Sequence, residues 1–378
     1  MKIAVTTAFG IEAVTKRELL KLGYADTRAI EGKIELEGDY TCLAKLNVNL
    51  RTAERVLIKL AEFVATDFDT FYNEVKKIPF EDYLTPTHHI LLDGNCKNSK
   101  LMAIKATGGV CKKAIIDRLK NYYKTDITES GYRAVVVFNI ENDLVKVYLD
   151  SSGDGLHKRG YRTLSYTAPI KETIASAMIL LSVYNKEKPF ADLFCGSGTI
   201  AIECALIAKQ IAPGLYRNFD FEHFKNFPQR AIDSVRAEAK RNILHDFKPN
   251  IIAKDINPEA IKIAKFHAKN AKVDNVIKFE VGDMKDFKST DDFGVIISNP
   301  PYGYRIGNSC DAPGMYKDFN KMLNGLNNWS AYLLTNYKSV EKALNRHADK
   351  KRKLFNANIE CTYYSFLGKK PDKKNNTN

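Results

Sequence analysis

No apolar run in the 378-residue sequence reaches the length of a membrane-spanning helix. Met1-Lys-Ile-Ala-Val5 opens on a strand pattern and not on the charged and apolar regions of a signal peptide, so the expectation is a cytoplasmic protein. The seven cysteines, at 42, 96, 111, 195, 204, 310 and 361, include no C-x-x-C pair and have no paired histidines nearby. Neither a disulfide framework nor a zinc site is expected, and no metal is required. Acidic residues are short as well, 45 against 58 Lys and Arg, which leaves a net charge of +13. That excess is large for an ordinary metabolic enzyme and points to a polyanionic partner, nucleic acid being the commonest in cytoplasm. Hydrophobic residues make up 44%, enough to fill the cores of two or three domains.

Residues 1–65 read as a small α+β unit in the order βαββαβ. Its strands are Lys2–Thr6, Thr27–Ile30, Lys33–Glu37 and Arg55–Phe63; one helix runs through Leu19-Leu20 and another starts at a cap, Asp39, with Leu43 and Leu46 on one face. This order predicts a ferredoxin-like sandwich. Residues 66–150 read as a second α+β unit. It has a helix Phe71–Ile78 stopped by Pro79, a strand His89–Asp93, a long helix Ala103–Tyr123, and a hairpin of Arg133–Ile140 with Leu144–Asp150. Within this second unit, the span Lys97–Lys124 holds Lys97, Lys100, Lys105, Lys112, Lys113, Arg118, Lys120 and Lys124 against one acid, Asp117. A solvated helix face usually mixes both signs, so the imbalance favours phosphate contact, which supplies affinity but not sequence choice. Residues 151–167, with the basic segment Gly155-Leu-His157-Lys158-Arg159-Gly-Tyr-Arg162, read as a linker. A third domain then begins with a helix over 168–184, with Pro169 in its first turn and Ile170, Ile174, Ala177 and Leu181 on one face.

In that domain Pro189-Phe-Ala-Asp192-Leu-Phe-Cys195-Gly196-Ser197-Gly198-Thr199 reads as a strand, a tight glycine turn and a helix start, which offers free N–H groups to a ligand. Gly196-x-Gly198-x-x-Ala201 also fits a dinucleotide fingerprint. Two features oppose a nicotinamide enzyme. Asp192 at the strand end would repel a pyrophosphate but suits an ammonium group, and the next strand-end acid, Asp255, comes far later than the roughly 20 residues that fingerprint needs. Asp255-Ile256-Asn-Pro opens a helix after the second strand, placed to accept ribose hydroxyls, and Asp283-Met284 follows a third, placed for an adenine amino group. The fourth strand, Val295–Ile297, is an apolar run that ends in Asn299-Pro300-Pro301-Tyr302. Two prolines forbid strand or helix there, so the turn presents an amide, carbonyls and an aromatic ring together. A nucleobase amino group is a poor nucleophile; if the Asn299 side-chain carbonyl and the Pro300 carbonyl accept its hydrogens, its lone pair is turned towards an electrophile, while Tyr302 can stack on the base. Between the first two strands, 211–248 is too long for a simple crossover; its aromatic-rich part, Phe219–Phe227, is expected near the glycine turn. Residues 368–378 are expected to be a disordered basic tail.

Asp192-Leu-Phe-Cys-Gly-Ser-Gly198 with Asn299-Pro-Pro-Tyr302 resembles the S-adenosylmethionine-dependent amino methyltransferases of the class I fold. His157-Lys-Arg-Gly-Tyr-Arg162, Ala168-Pro-Ile-Lys-Glu172, Ala212-Pro-Gly214 and Phe219-x-Phe-Glu222 are similar to segments of the bacterial THUMP-domain RNA guanine-2-amino methyltransferases, a likeness that covers all but the tail. The resemblance implies an α/β protein: a Rossmann-like methyltransferase domain over 168–367, with a mostly parallel seven-stranded sheet, preceded by a ferredoxin-like unit (1–65) and a THUMP RNA-binding unit (66–150). It implies that Asp192, Cys195, Gly196, Ser197, Gly198 and Thr199 hold the methionine part of the cofactor, that Asp255 with Ile256 holds the ribose, and that Asp283 with Met284 holds the adenine. Asn299, itself at the cofactor, would handle the target base with Pro300, Pro301 and Tyr302; His157, Lys158, Arg159 and Arg162 join Lys97, Lys100, Lys105, Lys112, Lys113 and Arg118 as RNA contacts. The implied reaction is methylation of a guanosine 2-amino group in structured RNA, 23S ribosomal RNA before transfer RNA, with no obligate protein partner. The catalytic turn is shared with DNA adenine methyltransferases, which remain an alternative. A non-catalytic RNA-binding factor is a second, opposed by the intact glycines, acids and Asn299.

Overall fold

The computed structural model describes residues 1–30, 32–164, 169–301, 312–356 and 359–369. Tyr302, Cys310, Ala168 and residues 370–378 of the expected tail lie outside them. By their internal contacts these residues form two units. The first is Met1–Thr7, Lys16–Leu156 and Gly214–Glu238; the second is Ala8–Thr15, His157–Pro213 and Ala239–Asn378.

The first unit holds strands β1 (Lys2–Thr7), β2 (Arg28–Ile30), β3 (Lys33–Glu37), β4 (Ala53–Val64), β5 (His89–Lys97), β6 (Arg133–Glu141) and β7 (Leu144–Asp150). Its helices are α2 (Tyr40–Asn49), α3 (Phe68–Lys77) and α4 (Ile104–Tyr123), while α1 (Glu12–Lys21) and α7 (Gln229–Arg241) have residues in both units. Asp39 caps α2 by accepting the Cys42 N–H at 2.7 Å, as its position before an apolar run predicts. All seven strands make one sheet, β2-β3-β1-β4-β7-β6-β5. The first four are the ferredoxin-like part, and β4 pairs antiparallel with β7, so the strands of 1–65 and 66–150 share a single hydrogen-bonded ladder.

The second unit holds β8 (Phe190–Asp192), β9 (Ile251–Asp255), β10 (Ile277–Val281), β11 (Val295–Ser298), β12 (Ser330–Thr335), β13 (Lys350–Asn356) and β14 (Ile359–Phe366). Its helices are α5 (Glu172–Leu181), α6 (Thr199–Ala208), α8 (Pro258–Asn270), α9 (Ala312–Asn324) and α10 (Val340–Leu344). The strand order is β10-β9-β8-β11-β12-β14-β13, parallel through β12 and antiparallel thereafter. Strands covered on both faces read as continuous apolar runs, and all four residues of β11 are buried. The first helix of this unit starts at Glu172, later than Pro169 suggests; Lys171 is its cap residue and Pro169 lies before it.

β11 begins beneath the single tryptophan: a Cβ added to Gly294 would lie 2.3 Å from the Trp329 ring, whose indole N–H donates to the Asp291 carbonyl at 2.8 Å. Overpacking of this kind costs about 1–3 kcal/mol, so Gly294→Ala is expected to lower the free energy of unfolding in urea by that amount, read directly in Trp329 fluorescence.

The irregular piece 211–248 divides between the units. Gly214–Glu238 joins the first one, where the Gly214 N–H donates to the Val48 carbonyl at 2.9 Å, Arg133 binds Asp220 at 2.9 Å, and Tyr40 and Tyr83 meet Phe227 and Phe224 edge to face. Long-range pairs, invisible in a linear reading, attach the aromatic segment to the first unit.

Candidate functional site

Four neighbouring parallel strands, β10, β9, β8 and β11, end side by side at one edge of the sheet. Their ends bring Asp283, Asp255, Asp192 and Asn299 to the same edge, in that order, where open α/β sheets bind ligands.

Between β8 and α6 the chain makes its glycine turn. Gly196 and Gly198 have φ of +50° and +84°, in the left-handed region, and a Cβ on Gly198 would sit 2.9 Å from the Ala264 Cβ of α8. The turn is tied to the next strand by backbone: the Cys195 N–H donates to the Lys254 carbonyl at 3.0 Å and the Gly196 N–H to Asp255 Oδ2 at 2.8 Å. Asp255 Oδ1 accepts the Asn257 N–H at 2.9 Å, and Asn257 caps α8 by accepting the Glu259 N–H. Both carboxylate oxygens are thereby oriented, and each keeps a lone pair for a hydroxyl donor. Directly after it, Ile256 is 69% exposed, an apolar side chain held in water beside an acid. Asp283 accepts the Lys285 N–H at 3.1 Å and pairs with its ammonium at 3.1 Å. Partial burial opposes its ionisation, but these Lys285 contacts outweigh that and hold its pKa below the usual value.

Asp192 is fully buried. Its Oδ1 accepts the Ser298 hydroxyl at 2.9 Å and the Phe194 N–H at 3.3 Å, while its Oδ2 is buried with no partner. Burial pushes its pKa to about 7; the Ser298 and Phe194 hydrogen bonds oppose the rise and the nearby Asp255 adds to it. Ser298 Oγ in turn accepts the Leu193 N–H at 2.9 Å, so one hydroxyl fixes both the acid and the start of the glycine turn. Ser298 escaped the sequence reading; its signal was a small polar residue closing an otherwise apolar strand. His267 of α8 was missed too. The Leu164 N–H donates to its Nε2 at 3.3 Å, which leaves Nδ1 as the donor to the Ser197 carbonyl at 3.1 Å. Burial lowers its pKa, consistent with a neutral ring.

The edge fits a cation with an amino-acid tail and an adenosine. An unpartnered buried carboxylate oxygen, a glycine cradle with no room for a Cβ at Gly198, an oriented acid for hydroxyls and an exposed Ile256 for a flat ring lie on adjacent elements. Cys195 and Met284 are buried side chains, and burial drives the Cys195 thiol pKa far up. Thr199 is buried with its hydroxyl unpartnered, Pro300 is buried, and Pro301 and Asn299 are half-buried.

The expected RNA contacts divide. Lys97, Lys100, Lys105 and Lys113 are exposed, with Lys97 paired to Glu141 at 3.0 Å. Lys112 pairs with Glu129 at 2.8 Å, and Arg118 forks onto the buried Glu81, so part of the charge on α4 is cancelled by acids far off in sequence. His157 is half-buried and Lys158 is exposed. Arg159 and Arg162 are corrections. The Arg159 side chain is 3% exposed and lies 3.7 Å from the fully buried Glu203, which also accepts from Tyr161 at 3.0 Å and Ser176 at 2.5 Å. Arg162 pairs with buried Glu172 at 3.5 Å and donates to the Ile170 carbonyl at 2.9 Å. Removing one partner of a buried pair leaves a charge uncompensated, so Arg159→Ala is expected to lower unfolding free energy by about 3 kcal/mol in a denaturant titration, with the salt dependence of RNA binding unchanged.

The family model described as RMKL-like, methyltransferase domain, matches residues 159–365, and that of the RlmL ferredoxin-like domain matches residues 2–57. The chain is 37% identical to the "Putative RNA methyltransferase YpsC" of Bacillus subtilis, over 100% of this chain and 98% of that protein. It is 30% identical to the ribosomal RNA large subunit methyltransferase K/L of Psychromonas ingrahamii over 96% of this chain but 49% of that protein, so it spans about half the length of such relatives. The crystal structure of SMU.472 complexed with SAH superposes with a TM-score of 0.92 at 35% identity, covering 98% of both chains. A Listeria monocytogenes protein described as a "predicted N6-adenine-specific DNA methylase" gives 0.92 at 36% identity, covering 97% of this chain and 96% of that one. With likeness along its whole length and the match over its second unit, the chain belongs to the RMKL-like methyltransferase family, with the RlmL ferredoxin-like domain at its start.

Proposed function

We propose that the protein methylates the exocyclic 2-amino group of a guanosine in structured RNA, ribosomal RNA before transfer RNA, using S-adenosylmethionine. The observation that carries this reading is the row of strand ends in which three acids that suit an aminoacyl, a ribose and an adenine moiety adjoin Asn299-Pro300-Pro301. RNA as the substrate class is supported by the names of the full-length Bacillus relative and of the K/L relatives, and by the net charge of +13. The cofactor supplies an electrophilic methyl group on a sulfonium centre. Asp192 would take the ammonium of its tail, the N–H groups of the glycine turn its carboxylate, Asp255 the ribose hydroxyls and Asp283 the adenine amino group. Asn299 and the Pro300 carbonyl would accept the two hydrogens of the guanosine amino group, which orients its lone pair. Catalysis is then mainly positioning, with the base swung out of its stack to reach the strand ends.

One relative described as a DNA adenine methylase favours a second reading, since the Asn-Pro-Pro turn suits either amino group. Methyl transfer from labelled S-adenosylmethionine to unmodified ribosomal RNA, transfer RNA and duplex DNA, followed by digestion to nucleosides, decides between them. Label in N2-methylguanosine is expected; label in methyladenine of DNA alone would overturn the guanosine reading.

A further inference from the structure

The first unit carries an exposed aromatic stack that neither its core nor the methyl-transfer site uses. The rings of Tyr132 and His223 lie parallel, with centroids 3.5 Å apart and planes 3° apart, while Tyr132 is 62% exposed. So open a pair gains little from burial, yet its supports are rigid. The His223 carbonyl accepts from Nε2 of buried His88 at 3.1 Å; that ring's orientation is fixed because its Nδ1 accepts the Thr85 N–H at 2.9 Å. The short turn Asp220–His223 is clamped by the Arg133–Asp220 pair at 2.9 Å and by Glu222, which accepts the Phe219 N–H at 2.9 Å and pairs with Arg236 at 2.8 Å. On the other side, the Tyr132 carbonyl accepts the His89 N–H at 2.9 Å and the Gly131 N–H donates to Thr87 at 2.7 Å.

A cation lies close by in sequence. Lys225, two residues after His223, sits 5.0 Å and 5.5 Å from the centroids of Tyr123 and Tyr122, and donates to the Tyr123 hydroxyl at 2.9 Å. That bond raises its pKa, and Asp82 adds to the rise. Tyr122 is 54% exposed. Lys120 is paired with Asp126 at 2.9 Å, and Lys124 donates to Asn121.

We propose that Tyr132 and His223 form a stacking platform for an unpaired nucleotide of the RNA substrate, with Lys225, two residues along the chain from His223, as a cation for a neighbouring phosphate. The inference rests on the RNA reading of the function. Every base offers a π-face, stacking on an aromatic is worth about 1–3 kcal/mol per base, and a platform already rigid loses little entropy on binding. Bases within a duplex keep their faces covered, so the platform selects a single-stranded segment.

The test uses the full-length protein and a single-stranded RNA of about 12 nucleotides carrying 2-aminopurine, beside the same sequence as a duplex. Tyr132→Ala is expected to weaken binding of the single strand about 5- to 100-fold and to abolish the 2-aminopurine quenching seen with wild type, by the same factor at low and high salt. Tyr132→Trp, compared at equal thermal midpoint, is expected to retain both, and duplex binding is expected to change little in either variant. Equal affinity of wild type and Tyr132→Ala for the single strand, or a loss that vanishes at high salt, would overturn the platform. Absence of methyl transfer to any RNA by the wild type would overturn the function reading, and the binding comparison decides the platform separately.

Discussion

Asn299→Ala is expected to lower methyl transfer by about 10³-fold while leaving the affinity for S-adenosylmethionine within a few-fold of wild type. The reason lies in where β11 stops. Its last residue, Ser298, is spent on Asp192 and the Leu193 N–H, so the strand end is rigid. Asn299 follows at once, half-buried, and Pro300 has no N–H to compete for the amide carbonyl. The position of Asn299 along the chain is thereby set by the end of β11. An amide that only accepts from the reacting amino group contributes in the transition state and little to ground-state cofactor binding, so kcat falls and the cofactor Kd does not. Single-turnover kinetics with saturating RNA, beside calorimetry with S-adenosylhomocysteine, read the two quantities separately. Near-normal turnover in Asn299→Ala would mean that the amino-group mechanism is wrong, whatever the RNA.

The parts of this site that were legible in the sequence are those set by local chemistry. β8, β9, β10 and β11 are short strands followed at or just past their ends by Asp192, Asp255, Gly282-Asp283 and Asn299, and the parallel pairing of such strands brings their ends together without further information. The Asp39 and Asn257 caps are equally local. What was not legible depends on partners distant in sequence. Arg159 and Arg162 look like phosphate contacts because their neighbours are basic, but Glu203 and Glu172 neutralise them inside the second unit. Phe219–Phe227 looks like a part of the domain that surrounds it in sequence, yet Arg133, His88 and Tyr132 hold it to the first unit. Basic composition reports the sum of charges; only the fold says which are already paired.

The second large effect concerns Asp192, whose buried carboxyl titrates near 7 in the free protein. An ordinary Asp titrates near 3.9, so the folded chain holds this proton more tightly than the unfolded one. By linkage, the contribution of Asp192 to stability is fully present below about pH 4 and is lost as pH rises through 7, where the carboxylate becomes a buried, half-unpartnered anion. A ligand ammonium does the opposite: it binds only the ionised form. Affinity for S-adenosylhomocysteine is therefore expected to rise about tenfold per pH unit up to pH 7 and to level off above it, with about one proton released per binding event at pH 6. Asp192→Asn is expected to bind about 10²-fold more weakly at pH 8, to show no such pH dependence, and to unfold at a higher temperature than wild type at pH 8, because the uncompensated charge is gone. Calorimetry in buffers of different ionisation enthalpy counts the proton. A binding curve flat between pH 6 and 8 would remove Asp192 from the cofactor's ammonium and leave its orphaned oxygen without a ligand. If instead the proton is released, the strain of burying this acid is maintained in the free protein because binding relieves it, and the same residue that weakens the fold at neutral pH supplies the affinity for the cofactor.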